Sequence, residues 1–118
     1  MTDVVALGEL LIDFTNVSAD WAGYPTMAAH PGGTPANFLA ALSKFGAKTA
    51  LLGKVGTETF GKLLVGTLQK AGIETRGLVI ADDVFTTLAF VTLDETGNRE
   101  FTFARKPGAD TKLTFNEI

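Results

Sequence analysis

Two adjacent glycines followed by a proline and an amide, Gly32-Gly33-Thr34-Pro35-Ala36-Asn37, form the string in this sequence best suited to approach a ligand. Without a Cβ, glycine lets the backbone close in, and a helix starting just after it leaves unpaired N–H groups at its amino end. Asn37 falls in the first turn of such a helix, and its amide both donates and accepts, which suits hydroxyl groups better than a bare anion. Asp13 closes an otherwise apolar run, a place where a carboxylate is poorly accommodated without a partner and can reach a crevice at a strand's end. Two neighbouring hydroxyls would satisfy it. Each feature also has a structural explanation, a helix-entry turn for the glycines and a turn carboxylate capping local amides for Asp13. Spacing alone leaves both open.

Further along, Phe101, Phe103 and Arg105 alternate onto one face. That face is either an aromatic wall with a cationic end over a ligand, or two rings packed on a sheet or another subunit with Arg105 solvated. A second glycine string, Gly56-Thr57-Glu58-Thr59-Phe60-Gly61-Lys62-Leu63, meets the G-x4-G-K pattern of a phosphate-binding loop. It puts Leu63 where magnesium needs a Ser or Thr hydroxyl, and Glu58 and Phe60 where amides would have to wrap phosphate. A capped helix start explains it better. His30 has neither a second histidine nor an evident acid partner in the sequence and is expected to be a loop residue.

Composition narrows the chemistry further. With no cysteine there is no disulfide scaffold, thiolate nucleophile or Cys-bound metal, and a single histidine rules out multi-histidine metal sites. A net charge of -3 provides no general positive field for a polyphosphate backbone, so nucleic acid is not an expected partner. The opening MTDVVALGELLIDF carries Asp3, Glu9 and Asp13, unlike a signal peptide, and no run approaches the ~20 apolar residues of a membrane helix. A soluble, cytoplasmic protein is expected. At 118 residues and 46% hydrophobic, the chain suits one domain with a buried core.

The elements that must position these residues follow from the apolar pattern. Val4–Leu7 and Leu10–Phe14 read as two short strands, and residues 16–31 as a loop with one extended piece near Met27–His30, on the evidence of Trp21, Gly23, Tyr24, Pro25 and Pro31. Thr34 as cap, Pro35 at the first helical position and Phe38, Leu39, Leu42 and Phe45 at helical spacing predict a helix ending at Gly46. Ala50–Val55 reads as a buried strand. Thr57 is then expected to cap a second helix, with Glu58 in its first turn, Phe60, Leu63, Leu64 and Leu68 along it and Gly72 as its stop. Leu78–Ile80 is a short strand, and alternation over 87–93 and 99–105 about Asp94-Glu95-Thr96-Gly97-Asn98 predicts an antiparallel hairpin. No terminating element is evident at Asn116-Glu117-Ile118. Alternating strands and helices imply a parallel sheet.

The string Gly32–Asn37, with Gly46 and Gly56 after it, resembles the first signature of the ribokinase-like, or PfkB, carbohydrate kinases. Gly8-Glu9-Leu10-Leu11-Ile12-Asp13 and Phe101-Thr102-Phe103-Ala104-Arg105-Lys106-Pro107-Gly108-Ala109-Asp110 look like the amino-terminal part of bacterial fructokinases in particular. Two positions depart from the pattern. Leu39 stands where the family has Ala, Ser or Thr, which by helical spacing implies only a packing change, and Glu58 stands where relatives carry Asp. The resemblance implies an α/β fold, part of a ribokinase-like three-layer sandwich of parallel sheet and helices, plus a small antiparallel β lid. Residues 1–12, 32–80 and 107–118 would form the core, and 13–31 and 84–106 the lid.

The same resemblance implies that Asp13, Gly32, Gly33 and Asn37 hold sugar hydroxyls while Phe103 and Arg105 close over the sugar. The family's reaction, transfer of the ATP γ-phosphoryl group to a primary sugar hydroxyl, needs magnesium, in some members a monovalent cation, and an aspartate base from a Gly-Ala-Gly-Asp run. Family members are roughly two to three times this length, and that run is absent from these 118 residues. The expectation is therefore an amino-terminal fragment of a fructokinase-like kinase, with the sugar-binding half, no catalytic residue and no cofactor bound by this chain. Fructose is the expected sugar; relatives sharing the glycine signature take 2-keto-3-deoxygluconate, ribose or nucleosides. An open sheet edge and an apolar lid face imply a homo-oligomer paired through the lid. The alternative is a non-catalytic sugar-binding or dimerisation module.

Overall fold

The computed structural model describes residues 1–19 and 22–118. Its body is a parallel sheet of β1 (Val4–Leu7), β4 (Thr49–Gly56), β5 (Ile73–Glu74) and β6 (Leu78–Ala81). β4 is central: β1 lies on one side, while β5 pairs with its first half and β6 with its second on the other. β4 is buried along nearly its whole length, with Thr49 and Lys54 as its buried polar residues. The helices α1 (Thr34–Lys44) and α2 (Thr59–Lys70) pack on this sheet. Leu39, Leu64 and Leu68 meet Leu10, Ile12, Leu51, Val55, Ile73 and Leu78 in one core. Each such side chain contributes about 1.5–3 kcal/mol by leaving water. Leu39 is fully buried, the packing role expected of it.

Helix ends follow the glycine signals, with two differences at the starts. Gly46 (φ 92°) and Gly72 (φ 80°) take the left-handed conformation just beyond α1 and α2. α1 is entered through Gly33, with Thr34 already helical and its side chain making no capping bond. Pro35 sits within the first turn, where its missing N–H costs nothing. At α2 the cap is Glu58 rather than Thr57: the longer carboxylate reaches the Gly61 N–H at 3.0 Å, whereas Thr57 is held by its own amide against Ala81 O.

A second sheet stands on the carboxyl ends of the body strands, in the order β3 (Pro25–Gly32), β2 (Leu11–Ala19), β7 (Thr87–Leu93), β8 (Arg99–Ala104). Its outer ladders are antiparallel and its middle one, β2 to β7, is parallel. The reason lies in the body, since β1 and β6 run the same way and each passes its chain upward into a lid strand. The region expected to be a loop is mostly the β2–β3 hairpin; Trp21 lies outside the described residues. A bulge between Asn16 and Ser18 breaks the alternation, and β3 is an edge strand, where prolines remove no ladder bond the sheet needs. His30 is consequently a strand residue.

The last residues are also structured, in single 3-10 turns at Ala109–Thr111 and Phe115–Glu117. Lys54, buried on β4, donates to Glu117 Oε2 at 2.8 Å and to the Lys112 carbonyl at 3.2 Å, while Glu117 Oε1 accepts from the Thr114 amide and hydroxyl. These bonds, that from Lys54 foremost, hold the Glu117 carboxyl below its ordinary value of 4.5. A carboxyl lowered by folding stabilises the protein above its unfolded value and loses that contribution as pH falls through the folded one. The wild-type melting temperature is therefore expected to fall more steeply than that of Glu117→Gln as pH drops below 4.5, the variant starting lower at neutral pH. Parallel curves in a pH series of thermal melts would show that the Lys54 pair contributes nothing.

Candidate functional site

The register of the lid determines which expected residues meet. Asp13 on β2 is opposite His30 on β3 and Ala89 on β7, and Ala89 is opposite Phe103 on β8. Residues aligned in this way share a face, and alternation adds Thr15, Val91, Phe101 and Arg99 to it. The opposite face carries Phe14, stacked on Phe90 at 5.0 Å and edge-on to Phe60 of α2 at 5.4 Å, which fastens the lid to the body. The Asp13 face is left open. On it lies a hollow of about 340 Å³ lined by Asp13, Thr15, Asn16, Val91, Leu93, Arg99 and Phe101.

Gly32 belongs to this arrangement for a steric reason. A Cβ there would run into Asp13 Oδ2 and lie 3.0 Å from Leu11 Cδ1, so only glycine leaves the carboxylate its place. Gly33, at φ 117°, would bring a Cβ to 2.6 Å from the Glu9 carbonyl oxygen. It lets β3 turn into α1 directly against the loop between β1 and β2. Asn37 is placed differently: it is exposed on α1 and, with Gly32, Pro31 and Leu10, lines a cleft between α1 and α2 of about 60 Å³. Gly32 is thus the link between Asp13 and Asn37, which line separate hollows.

On β8, Phe101 and Phe103 stack at 6.3 Å, and the Arg105 guanidinium lies 4.9 Å from the centre of the Phe103 ring. Arg105 is not simply solvated. Its Nη2 donates to Glu9 Oε2 at 3.0 Å and to Asp110 Oδ2 at 3.2 Å. Burial lowers its pKa, but the hydrogen bonds and charges of Glu9 and Asp110 outweigh this and leave it above its ordinary value. Glu9 and Asp110 received no role from the sequence, although both stand in the strings that carry the family resemblance. Their partnership spans 96 and 5 positions along the chain, and no local pattern reports the longer one.

The phosphate-loop-like string is a structural turn. Gly56 N–H donates to Thr86 Oγ1 at 2.9 Å, Thr57 N–H to Ala81 O at 3.0 Å, Gly61 N–H to Glu58 Oε1 at 3.0 Å and Lys62 N–H to Glu58 O at 3.1 Å. These four amides are spent within the protein. No group of three or more His, Cys, Asp or Glu is placed to hold a metal among the described residues. None of their helices is long and apolar enough to cross a membrane. Another hollow, about 480 Å³, opens at the amino-terminal ends of the body strands among Met1, Lys48, Gln69 and Arg76. Ligands of open α/β sheets bind outside the carboxyl ends instead, where the lid stands.

Residues 1–117 match the family model described as pfkB family carbohydrate kinase. The chain is 43% identical over 117 residues to a fructokinase of Zea mays, covering 98% of this chain and 36% of that protein. A fructokinase of Oryza sativa subsp. japonica is 44% identical over 119 residues, with 98% and 35% covered. The crystal structure of a Xylella fastidiosa fructokinase with bound ATP superposes with a TM-score of 0.88 at 32% identity, covering 98% of this chain and 34% of that one. The chain therefore spans about a third of the length of the curated relatives it matches.

Two glycine variants separate position from stability. Gly33→Ala is expected to lower stability to urea by about 1–3 kcal/mol, the usual cost of a strained backbone. Gly32→Ala should fold but displace the Asp13 carboxylate, seen as a shift of its carboxyl 13C resonance. A Gly33→Ala protein as stable as wild type, or an unmoved Asp13 resonance in Gly32→Ala, would contradict the geometry.

Proposed function

The chain belongs to the pfkB family of carbohydrate kinases, and on that premise we propose that its lid face is the sugar-binding half of a fructokinase-like enzyme. The observation that carries the reading is the row across the lid: Asp13, cleared by Gly32, faces the same open side as Phe101 and Phe103. A half-buried carboxylate accepts from two neighbouring hydroxyls, and aromatic faces cover the apolar C–H face of a sugar ring. Gly33 keeps the β3–α1 turn against the sugar side, while Asn37, lining the separate α1–α2 cleft, stands apart from the contacts of this face. Phe103 and Arg105 close the far edge. In a complete kinase the ATP γ-phosphoryl group would be transferred, with magnesium, to a primary hydroxyl of fructose or a similar sugar.

These 118 residues contain no Gly-Ala-Gly-Asp run to supply a base, and the amides of Gly56, Thr57, Gly61 and Lys62 in their glycine–lysine string are bonded within the protein. Their part is to bind and orient the acceptor. The exposed apolar side chains Leu93, Phe101 and Phe103 support pairing of two lids as part of the same reading.

The purified chain is expected to release no ADP from ATP and magnesium with fructose present, yet to bind fructose by calorimetry. Asp13→Asn should weaken that binding roughly tenfold or more, the effect of losing charge-assisted hydrogen bonds. Steady ADP release at an ordinary kinase rate, or fructose binding indifferent to Asp13→Asn, would overturn the proposal.

A further inference from the structure

The arginine on the sugar-facing side of the lid has its positive charge already engaged. Arg105 lies between Asp110, whose side chain is 2% exposed, and Glu9, whose side chain is 44% exposed, and one nitrogen, Nη2, serves both. The other Asp110 oxygen accepts from the Thr87 hydroxyl, and Gly108 makes room for that bond, since a Cβ there would run into Thr87 Oγ1. A buried carboxylate is retained only with such partners. Arg105 Nε is enclosed and has no hydrogen-bond partner. Two carboxylates therefore surround one guanidinium, and the cluster carries a net negative charge. Arg99, farther along the same face, shares its hollow with Asp13, so there too a cation and a carboxylate occur together.

We propose that Glu9 and Asp110 are specificity-determining residues: by neutralising Arg105 they make this lid accept a neutral sugar and reject a sugar acid. An arginine without such partners is a ready carboxylate receptor, because its planar fork matches the two oxygens. Here an incoming carboxylate would have to displace Glu9 and would still meet Asp110, and like-charge juxtaposition is strongly unfavourable. A neutral polyol has no such conflict and can accept from the N–H groups that the carboxylates leave over. Asp110 is the fixed member, because it is buried and held by Thr87. Glu9, nearer solvent, is the exchangeable one. The inference rests on the sugar-binding reading and adds to it the charge class of the substrate.

Calorimetry with fructose as the neutral probe and gluconate as the acid probe tests it on the 118-residue chain. Wild type should prefer fructose by at least roughly tenfold. Glu9→Gln, a change at an exposed position, should move that ratio toward gluconate by about tenfold, and Asp110→Asn further. The same Glu9→Gln change made together with Arg105→Gln should leave the ratio where Arg105→Gln alone puts it, a coupling that a merely structural effect would not produce. Gluconate bound by wild type as tightly as fructose, or a ratio unmoved by Glu9→Gln while fructose still binds, overturns the charge assignment and leaves the sugar-binding reading intact. Failure of both probes to bind wild type removes that reading and this inference with it.

Discussion

Ile12 has no exposed surface, and its burial between sheet and helices governs what happens on either side of it in the chain. Leu10 and Ile12 anchor the start of β2 in the core of the body, while the rest of the strand leaves the body and becomes the centre of the lid. With the strand fixed at Ile12, alternation sends Asp13 to the opposite face and Phe14 back toward α2. A slip of one residue would bury the carboxylate and expose both Ile12 and Phe14, so the hydrophobic core itself sets the register of the candidate site. Gly32 completes the constraint from the neighbouring strand, leaving the carboxylate a place that any side chain would fill.

The lid is joined to the body in two chemically different ways. On one face the Phe14, Phe60 and Phe90 rings form an apolar seam that depends on burial and tight packing. At the outer edge Arg105 bridges to Glu9 and Asp110, a polar contact that solvent and salt weaken at Glu9 and that burial protects at Asp110. The apolar seam keeps the sheet in place over the carboxyl ends of the body strands. The polar bridge ties the segment just beyond β8 to the loop between β1 and β2 and to Asp110. Together they leave one face of the lid fixed and the other open.

Much of the fold is legible in the sequence because its signals are local. Gly46 and Gly72 stop the helices, Leu39, Leu64 and Leu68 recur at helical spacing, and the alternation of residues 87–93 and 99–104 marks the hairpin. The β2–β3 hairpin is illegible for equally specific reasons, since a bulge at Asn16–Ser18 interrupts its period and its prolines lie on an edge strand that tolerates them. The cap of α2 depends on which of two adjacent side chains can reach Gly61, and the ordered carboxyl terminus depends on Lys54, an ion pair 63 residues distant. In the site, Asp13 and the glycines stand out by residue type, but their contact is a matter of register. Glu9 and Asp110 acquire a role only once the lid is folded over the body.

An amide chemical-shift map of the 15N-labelled chain titrated with fructose tests the central claim, that the open lid face is where the sugar binds. The account predicts that the perturbed amides cluster around Asp13, Gly32, Ala89, Phe101 and Phe103, with the amides of Gly56–Leu63 and those near Lys48 and Gln69 unmoved. Perturbations confined to either of the latter regions, or none at saturating sugar, would contradict it.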